Sequence, residues 1–199
     1  MIRLGLTGSI GMGKSTTAQM FRDEGLRVID SDAVVHDLYR SEAVEPIERA
    51  FPRVIVDGQV DRQLLSAHLA KFPGDFKLLE MIVHPLVRKR EIETISEAQN
   101  AGADIIVLDI PLLFESGTQA RVDKVVVVTC SPEIQRERVL SRPGMTEEKF
   151  KMILGRQTPD VEKRRRADFI IDTGLGLDHA RNEVRAIIAA LRSGKQAGR

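Results

Sequence analysis

Five short apolar segments recur along the chain, separated by longer stretches in which apolar residues have helical spacing. The segments cover residues 2–7, 27–29, 104–109, 124–129 and 168–172. Several are apolar at nearly every position instead of alternating, which is the pattern of strands buried on both faces. Strands of this kind form parallel sheets that helices cover. The pattern therefore predicts an α/β fold of three layers around a five-stranded parallel sheet.

The second and third segments are much further apart than one connection requires. A crossover between parallel strands needs only a dozen or more residues, whereas residues 33–102 contain several helical patterns. We therefore expect an inserted helical subdomain over residues 33–102, with residues 1–32 and 103–199 forming the core. Proline disfavours helical geometry in the residue before it, so Pro85 predicts a helix break at His84.

The first apolar segment runs directly into a glycine-rich loop. Residues 8–15 fit the pattern G-x-x-x-x-G-K-[ST], and good helix formers follow. In this context the loop cradles phosphates with backbone N–H groups at a helix N-terminus. The alternative is a glycine-rich turn with an incidental lysine. The residues predicted to bind the phosphates of ATP are Gly8, Gly11, Met12, Gly13, Lys14, Ser15 and Thr16.

Two side chains of this loop have expected chemical roles. In a phosphate-binding loop the lysine reaches the β- and γ-phosphates, and the serine hydroxyl binds Mg²⁺. We expect Lys14 to act on the transferring phosphate because the loop leaves it no other partner. Ser15 is the corresponding Mg²⁺ ligand, with ATP as the co-substrate.

Carboxylates follow two of the predicted strands. Asp30 and Asp32 come just after the second, and Asp109 ends the third. Ligands of open α/β folds lie at the carboxyl edge of the sheet. If residues 30–32 are extended, both aspartates point the same way, and one accepts a proton from an attacking hydroxyl while the other orients Mg²⁺. Asp109 has the position of a Mg²⁺-binding carboxylate.

Structural roles are the alternatives for these carboxylates. Asp32, or Ser31 beside it, could cap a helix that begins near Ala33, and Asp109 could be a turn residue before the following proline. Glu115, six residues after Asp109, is either functional or a solvated loop residue.

A basic helical pair follows the fourth predicted strand, with Arg142-Pro143-Gly144 between its two parts. Arginines on a mobile lid can close over ATP, neutralise the migrating phosphoryl group and exclude water. We predict a lid over residues 138–157 in which Arg142 acts on the phosphate. Other basic residues there are more typical of solvated faces: Arg136, Arg138, Arg156 and the run 163–166.

Charge and cysteine content limit the classes of partner. The chain has 30 Lys plus Arg against 29 Asp plus Glu, a net charge of +1, which offers no global field for nucleic acid or a membrane surface. No apolar run approaches the length of a membrane span. The single cysteine, Cys130, follows a predicted buried strand and is expected to be structural. We expect a cytoplasmic protein without nucleic-acid or membrane partners.

These motifs, in this order and spacing, resemble the dephospho-coenzyme A kinase family. The matching segments are L-T-G-S-I-G-M-G-K-S from Leu6, D-S-D from Asp30, H-P-L-V from His84, D-I-P-L-L-F-E from Asp109 and A-D-F-I-I-D from Ala167. The resemblance covers nearly the whole chain, and P-L-L-F-E together with D-x-D is more specific than the phosphate-binding loop alone.

The resemblance implies a P-loop NTPase-type fold and a reaction. The family phosphorylates the ribose 3′-hydroxyl of dephospho-coenzyme A with Mg·ATP, the last step of coenzyme A synthesis. By similarity, Asp32 is the general base, residues 33–102 bind the acceptor, and the lid follows the fourth strand. A monomer or weak homo-oligomer is expected.

The chain departs from the family pattern in two places. Asp172-Thr173-Gly174 stands where the family often has Asn-x-Gly, so an adenine contact there is not carried over to a side chain. Ser9 and Met12 occupy variable loop positions that are commonly Gly and Ser.

Three other functions are the alternatives. A kinase for a nucleoside monophosphate or shikimate would share the fold and the loop. A nucleotide-dependent switch would need a guanine-reading N-K-x-D element, which is absent from the sequence. An inactive coenzyme-binding scaffold would leave Lys14, Ser15 and Asp32 without a common use.

Overall fold

A computed structural model describes residues 1–194 of the chain, and parallel strands form its centre. The sequence also predicts a frayed tail at residues 193–199, most of which lies outside the described residues. The strands are β1 (Ile2–Thr7), β2 (Arg27–Asp30), β3 (Ile55–Val56), β4 (Gln59–Val60), β5 (Ile105–Asp109), β6 (Lys124–Thr129) and β7 (Phe169–Asp172).

The main sheet has the spatial order β2-β5-β1-β6-β7. Strand β1 pairs in parallel with β5 on one side, with Leu6 opposite Asp109, and with β6 on the other. Strand β6 in turn pairs in parallel with β7. The predicted five-stranded parallel sheet is confirmed, and its register places the end of β5 beside the end of β1.

Helices fill the connections between the strands. They are α1 (Lys14–Asp23), α2 (Ser31–Leu38), α3 (Val44–Ala50), α4 (Arg62–Lys71), α5 (Asp75–Asn100), α6 (Pro132–Leu140), α7 (Glu147–Leu154), α8 (Asp160–Arg165) and α9 (Leu177–Arg192). None of these helices in residues 1–194 has the length and apolarity needed to span a bilayer.

The described residues divide into two compact units. The first consists of Met1–Val28 and the chain from Ala98 onward, and the second of Ile29–Glu97. In the first unit, Leu6, Val126 and Ile171 of the sheet form one apolar cluster with α1 and α9. Helix α9 contributes Val184 and Ile188 to it, as the apolar stripe of an amphipathic helix does.

The second unit has a core of its own. Residues Tyr39, Phe51 and Leu65 belong to this cluster, together with Val83 of α5. Strands β3 and β4 form a hairpin around Asp57 and Gly58, both with positive φ. These two strands were not predicted from the sequence, because each is only two residues long.

The predicted helix break at His84 is wrong. Helix α5 continues through Pro85 for 26 residues. Its middle packs Val83, Leu86 and Val87 against the core of the second unit. Proline in a helix interior removes one hydrogen bond, and here apolar packing on both sides of Pro85 outweighs that loss.

Candidate active site

The phosphate-binding loop connects β1 to α1, as the sequence predicted. Gly13 is the N-cap of α1, no side chain caps this helix end, and no acidic residue lies in its first turn. The N-terminus of a helix carries unpaired N–H groups and partial positive charge. The loop therefore presents an open anion-binding end at Lys14, Ser15 and Thr16.

Two glycines of the loop are required by space as well as by backbone geometry. Gly11 and Gly13 have φ values of 80° and 90°, a region that favours glycine. A Cβ at Gly11 would lie 2.5 Å from Cγ2 of Val139, and one at Gly13 would lie 3.0 Å from Oγ1 of Thr173. The loop is thus packed directly on α6 and on the end of β7.

Lys14 forms an ion pair with Asp109. Its Nζ contacts Oδ1 of Asp109, and the side chains are 17% and 3% exposed. Parallel pairing of β5 with β1 places Asp109 at this edge, where the Ile110 N–H also donates to the Leu6 carbonyl. The premise that the loop leaves Lys14 no other partner is wrong, because a buried carboxylate neutralises it.

Thr173 supports the loop from the opposite side. Its hydroxyl donates to the carbonyl oxygen of Met12 over 2.8 Å and accepts a hydrogen bond from Arg138. Arg138 also donates to the Thr173 carbonyl. Arg138, which was expected on a solvated face, is therefore engaged at the base of the site. Thr173 was singled out only as a departure from the family pattern.

A cleft of about 360 Å³ lies beside the loop. Its lining includes polar groups, such as Arg142, and apolar side chains, such as Met20 and Leu177. The Arg142 guanidinium has no hydrogen-bond or ion-pair partner among residues 1–194. The cleft can therefore hold a ligand that has both anionic and apolar parts.

Two glutamines hold the backbone of Ile10 in the loop. The Ile10 N–H donates to Oε1 of Gln157 over 3.0 Å, and Nε2 of Gln135 donates to the Ile10 carbonyl over 2.7 Å. Gln157 lies in the predicted lid, after α7, and Gln135 lies in α6. Sequence reasoning gave neither residue a role, because an amide side chain in a basic helical segment carries no distinctive signal.

Glu115 and Lys163 form a second buried ion pair. Their Oε1 and Nζ atoms are 2.9 Å apart, and Lys163 is fully buried. Burial by itself raises the pKa of Glu115, but the Lys163 ammonium and a hydrogen bond from the Thr158 N–H bring the pKa below its ordinary value. The expectation that the run 163–166 is wholly solvated is wrong at Lys163.

The geometry expected for residues 30–32 is also wrong. Helix α2 begins at Ser31, so the segment is not extended. Asp30 is its N-cap: Oδ1 accepts from the N–H groups of Asp32 and Ala33 at 2.9 and 3.1 Å. The cap is thus Asp30, not Asp32 or Ser31. The exposed carboxylate of Asp32 has no partner among residues 1–194.

Other predicted residues have simpler surroundings. Arg136 pairs with Glu147 on the surface. Cys130 is buried at the end of β6, its Sγ lies 3.4 Å from Sδ of Met12, and burial raises the pKa of its thiol. These contacts support the structural role expected for Cys130. His84 is exposed on α5.

Known proteins resemble this chain along nearly its whole length. A model of the dephospho-CoA kinase family matches residues 2–178. The dephospho-CoA kinase of Agrobacterium fabrum is 60% identical over 191 residues, which are 96% of this chain and 98% of the relative. That of Rhizobium meliloti is 57% identical over 98% of this chain and 100% of the relative.

A solved structure also matches the chain along nearly its whole length. The dephospho-CoA kinase from Campylobacter jejuni superposes with a TM-score of 0.72 and 26% identity, covering 96% of this chain and 98% of the other. Together with the phosphate-binding loop and the motifs at Asp30 and Asp109, these similarities lead to one conclusion. The chain belongs to the dephospho-CoA kinase family.

Proposed function

We propose that this chain transfers the γ-phosphoryl group of ATP to the ribose 3′-hydroxyl of dephospho-CoA, producing CoA and ADP. One observation carries the chemistry: an uncapped helix N-terminus lies directly beside the Lys14–Asp109 pair. This arrangement suits a phosphate chain, because backbone N–H groups and the lysine charge act on it together. Membership of the family identifies the acceptor.

Each part of ATP has suitable partners in this proposal. The phosphates lie on the backbone from Gly8 to Thr16. The nucleoside occupies the 360 Å³ cleft, with apolar contacts from Met20 and Leu177. Lys14 turns from Asp109 to the β- and γ-phosphates as ATP enters, since the triphosphate offers more negative charge than one carboxylate.

We further propose Ser15 and Asp109 as ligands for Mg²⁺. A hydroxyl and a carboxylate are the hard oxygen donors that this ion prefers, and Asp109 lies at the strand end beside the loop. Asp30 is a third candidate, with Oδ2 left over from its cap. When bound, the ion neutralises charge on the β- and γ-phosphates.

The remaining steps fall to Asp32 and Arg142. Asp32 orients the 3′-hydroxyl and takes its proton, because its carboxylate has no structural partner. Arg142 neutralises charge on the migrating phosphoryl group, and the lid over residues 138–157 excludes water that would compete as acceptor. Residues 33–102 supply the acceptor site. We expect a monomer or a weak homo-oligomer.

A panel of acceptors tests the proposal. Purified protein with Mg·ATP should form ADP and CoA stoichiometrically from dephospho-CoA. AMP, dTMP and shikimate, the acceptors of related P-loop kinases, should give no turnover above the background ATP hydrolysis. Turnover with one of these three but not with dephospho-CoA would overturn the assignment.

A further inference from the structure

A second cavity is lined only by residues of the unit Ile29–Glu97 and is open to solvent. Its volume is about 310 Å³, at the lower end of the range for small-ligand sites. Most of its lining residues have polar side chains: His36, Tyr39, Arg40, Gln59, Arg62 and Gln63. None of them is among the residues proposed to bind ATP or Mg²⁺ or to act as the base.

The cavity has an excess of unpaired positive charge. Neither Arg40 nor Arg62 has a hydrogen-bond or ion-pair partner for its guanidinium among residues 1–194. Both side chains are exposed, so they can bind an anion without first breaking an ion pair. Two such guanidinium groups around one cavity suit an anionic ligand.

One carboxylate partly offsets this charge. Asp61 also lines the cavity, but its Oδ1 caps α4 by accepting from the N–H groups of Gln63 and Leu64 at 2.8 and 2.9 Å. Two arginines line the cavity beside this single engaged carboxylate. The balance of charge around the cavity is therefore positive.

Tyr39 is a separate indication of a ligand. Only 8% of this residue is exposed, and it belongs to the apolar core of the unit. Its hydroxyl has no hydrogen-bond partner among residues 1–194. Burial raises its pKa, while the nearby Arg62 charge acts in the opposite direction. The hydroxyl is therefore available to donate a hydrogen bond to a ligand in the cavity.

Backbone hydrogen bonds connect the elements around the cavity. The Val60 N–H donates to the Tyr39 carbonyl over 2.9 Å, and the Asp61 N–H donates to the Val54 carbonyl over 2.8 Å. These bonds join the end of α2 to the hairpin and the start of α4. These hydrogen bonds therefore hold in place the backbone segments that contain Arg40 and Arg62.

We infer that this cavity binds the diphosphate group of dephospho-CoA, an inference that rests on the proposed function. The diphosphate is the anionic part of that acceptor, whereas its adenosine and pantetheine parts are neutral. Two guanidinium groups match its two charges with paired N–H donors. The Tyr39 hydroxyl and the amides of Gln59 and Gln63 supply further donors to its oxygens.

Steady-state kinetics of the full chain test the inference. The variants are Arg40→Gln, Arg62→Gln and Tyr39→Phe, with Arg49→Gln as the matched control outside the cavity. Each cavity arginine variant should raise KM for dephospho-CoA about tenfold, the expected loss of one charge-assisted hydrogen bond. Tyr39→Phe should raise it less. For all variants, kcat and KM for ATP should stay near the wild-type values.

Salt dependence provides an independent measurement. Increasing KCl should raise KM for dephospho-CoA more steeply in the wild type than in Arg40→Gln or Arg62→Gln, because salt screens the lost attraction. Circular dichroism checks folding, and if one arginine variant is unfolded, the other two cavity variants decide the matter.

The proposed function and the inference about the cavity are tested by different outcomes. Wild-type protein that does not phosphorylate dephospho-CoA overturns the proposed function itself. Active wild type with unchanged KM in the folded cavity variants overturns only the inference about the cavity. A rise in KM for ATP equal to that for dephospho-CoA also overturns it, because the cavity would then act on both substrates.

Discussion

Arg138 donates two hydrogen bonds to Thr173, from Nη1 to the hydroxyl over 2.8 Å and from Nη2 to the carbonyl over 2.9 Å. The same hydroxyl donates to the Met12 carbonyl in the phosphate-binding loop. Helix α6, the end of β7 and the loop are thus joined through a single side chain. Thr173 positions the loop without needing to contact the phosphates.

Thr173→Val tests this positioning role. Valine keeps the shape of threonine but removes the hydroxyl, so Arg138 loses one acceptor and the Met12 carbonyl loses its donor. We therefore expect the free energy of unfolding to fall by about 1–3 kcal/mol. KM for ATP should rise more than kcat falls, because the ATP cradle is displaced. Urea unfolding and initial rates measure both. Thr173→Ser keeps the hydroxyl and should restore both values; equal defects in the two variants would contradict the role.

Lys14→Met should lower kcat by at least roughly 10²- to 10³-fold, the range for loss of one hydrogen-bond donor to a transition-state oxygen. In the free protein it also removes the ion pair with the buried Asp109, which should lower the free energy of unfolding. The double variant Lys14→Met/Asp109→Asn should not recover turnover. Near-normal turnover in a folded Lys14→Met would mean that the loop is not the ATP site.

Asp32→Asn should lower kcat by roughly 10²- to 10⁴-fold, the usual contribution of a positioned general base. ATP affinity should change little. Asp30→Asn retains the cap, because asparagine caps helices as well as aspartate does, and should instead raise the Mg²⁺ concentration needed for half-maximal activity. Magnesium titrations of kcat compare the two variants. The reverse pattern would exchange their roles.

The Glu115–Lys163 pair predicts a dependence of stability on pH. The pKa of Glu115 is lower in the folded protein than its ordinary 4.5, so folding favours the ionised form. Its contribution is fully present above the unfolded pKa and is lost as pH falls through the folded pKa. Thermal unfolding between pH 6 and about 3 should therefore show a shallower acid loss in Glu115→Gln. That variant should also be less stable at neutral pH.

The lid prediction can now be made more specific. Arg138 is anchored to Thr173, whereas Arg142 has no partner, so movement should begin beyond Arg138. Backbone hydrogen exchange in residues 142–157 should slow when ATP binds, while exchange in α6 before Arg138 should not change. Identical exchange with and without ATP throughout residues 142–157 would indicate a static helical pair.

The sheet and the loop could be predicted from the sequence because local pattern determines both. Runs such as 104–109 and 124–129 are apolar at nearly every position, and the glycines at 11 and 13 have a specific backbone purpose. Position at the end of a strand was enough to place Asp109 beside the loop, since parallel strands end at one edge.

The errors involve partners that are distant in sequence or competition between local preferences. Lys163 lies in a basic run, and only Glu115, 48 positions earlier, explains its burial. Pro85 stays helical because of apolar contacts that a local rule does not include. Asp30 and Asp32 were candidates for a Mg²⁺-orienting group and a general base, and the backbone geometry that assigns the cap to Asp30 depends on where α2 begins.

The sheet order has a consequence for how the chain folds. Strand β1 is central, and its neighbours are β5 and β6, with Ile2 opposite Ile105. Strand β1 therefore has no neighbouring strand to pair with until more than 100 residues have been synthesised. The unit Ile29–Glu97 is continuous in sequence and has its own apolar cluster. During synthesis this unit can collapse first, and the nucleotide-binding sheet must form late, through contacts of large sequence separation that form slowly.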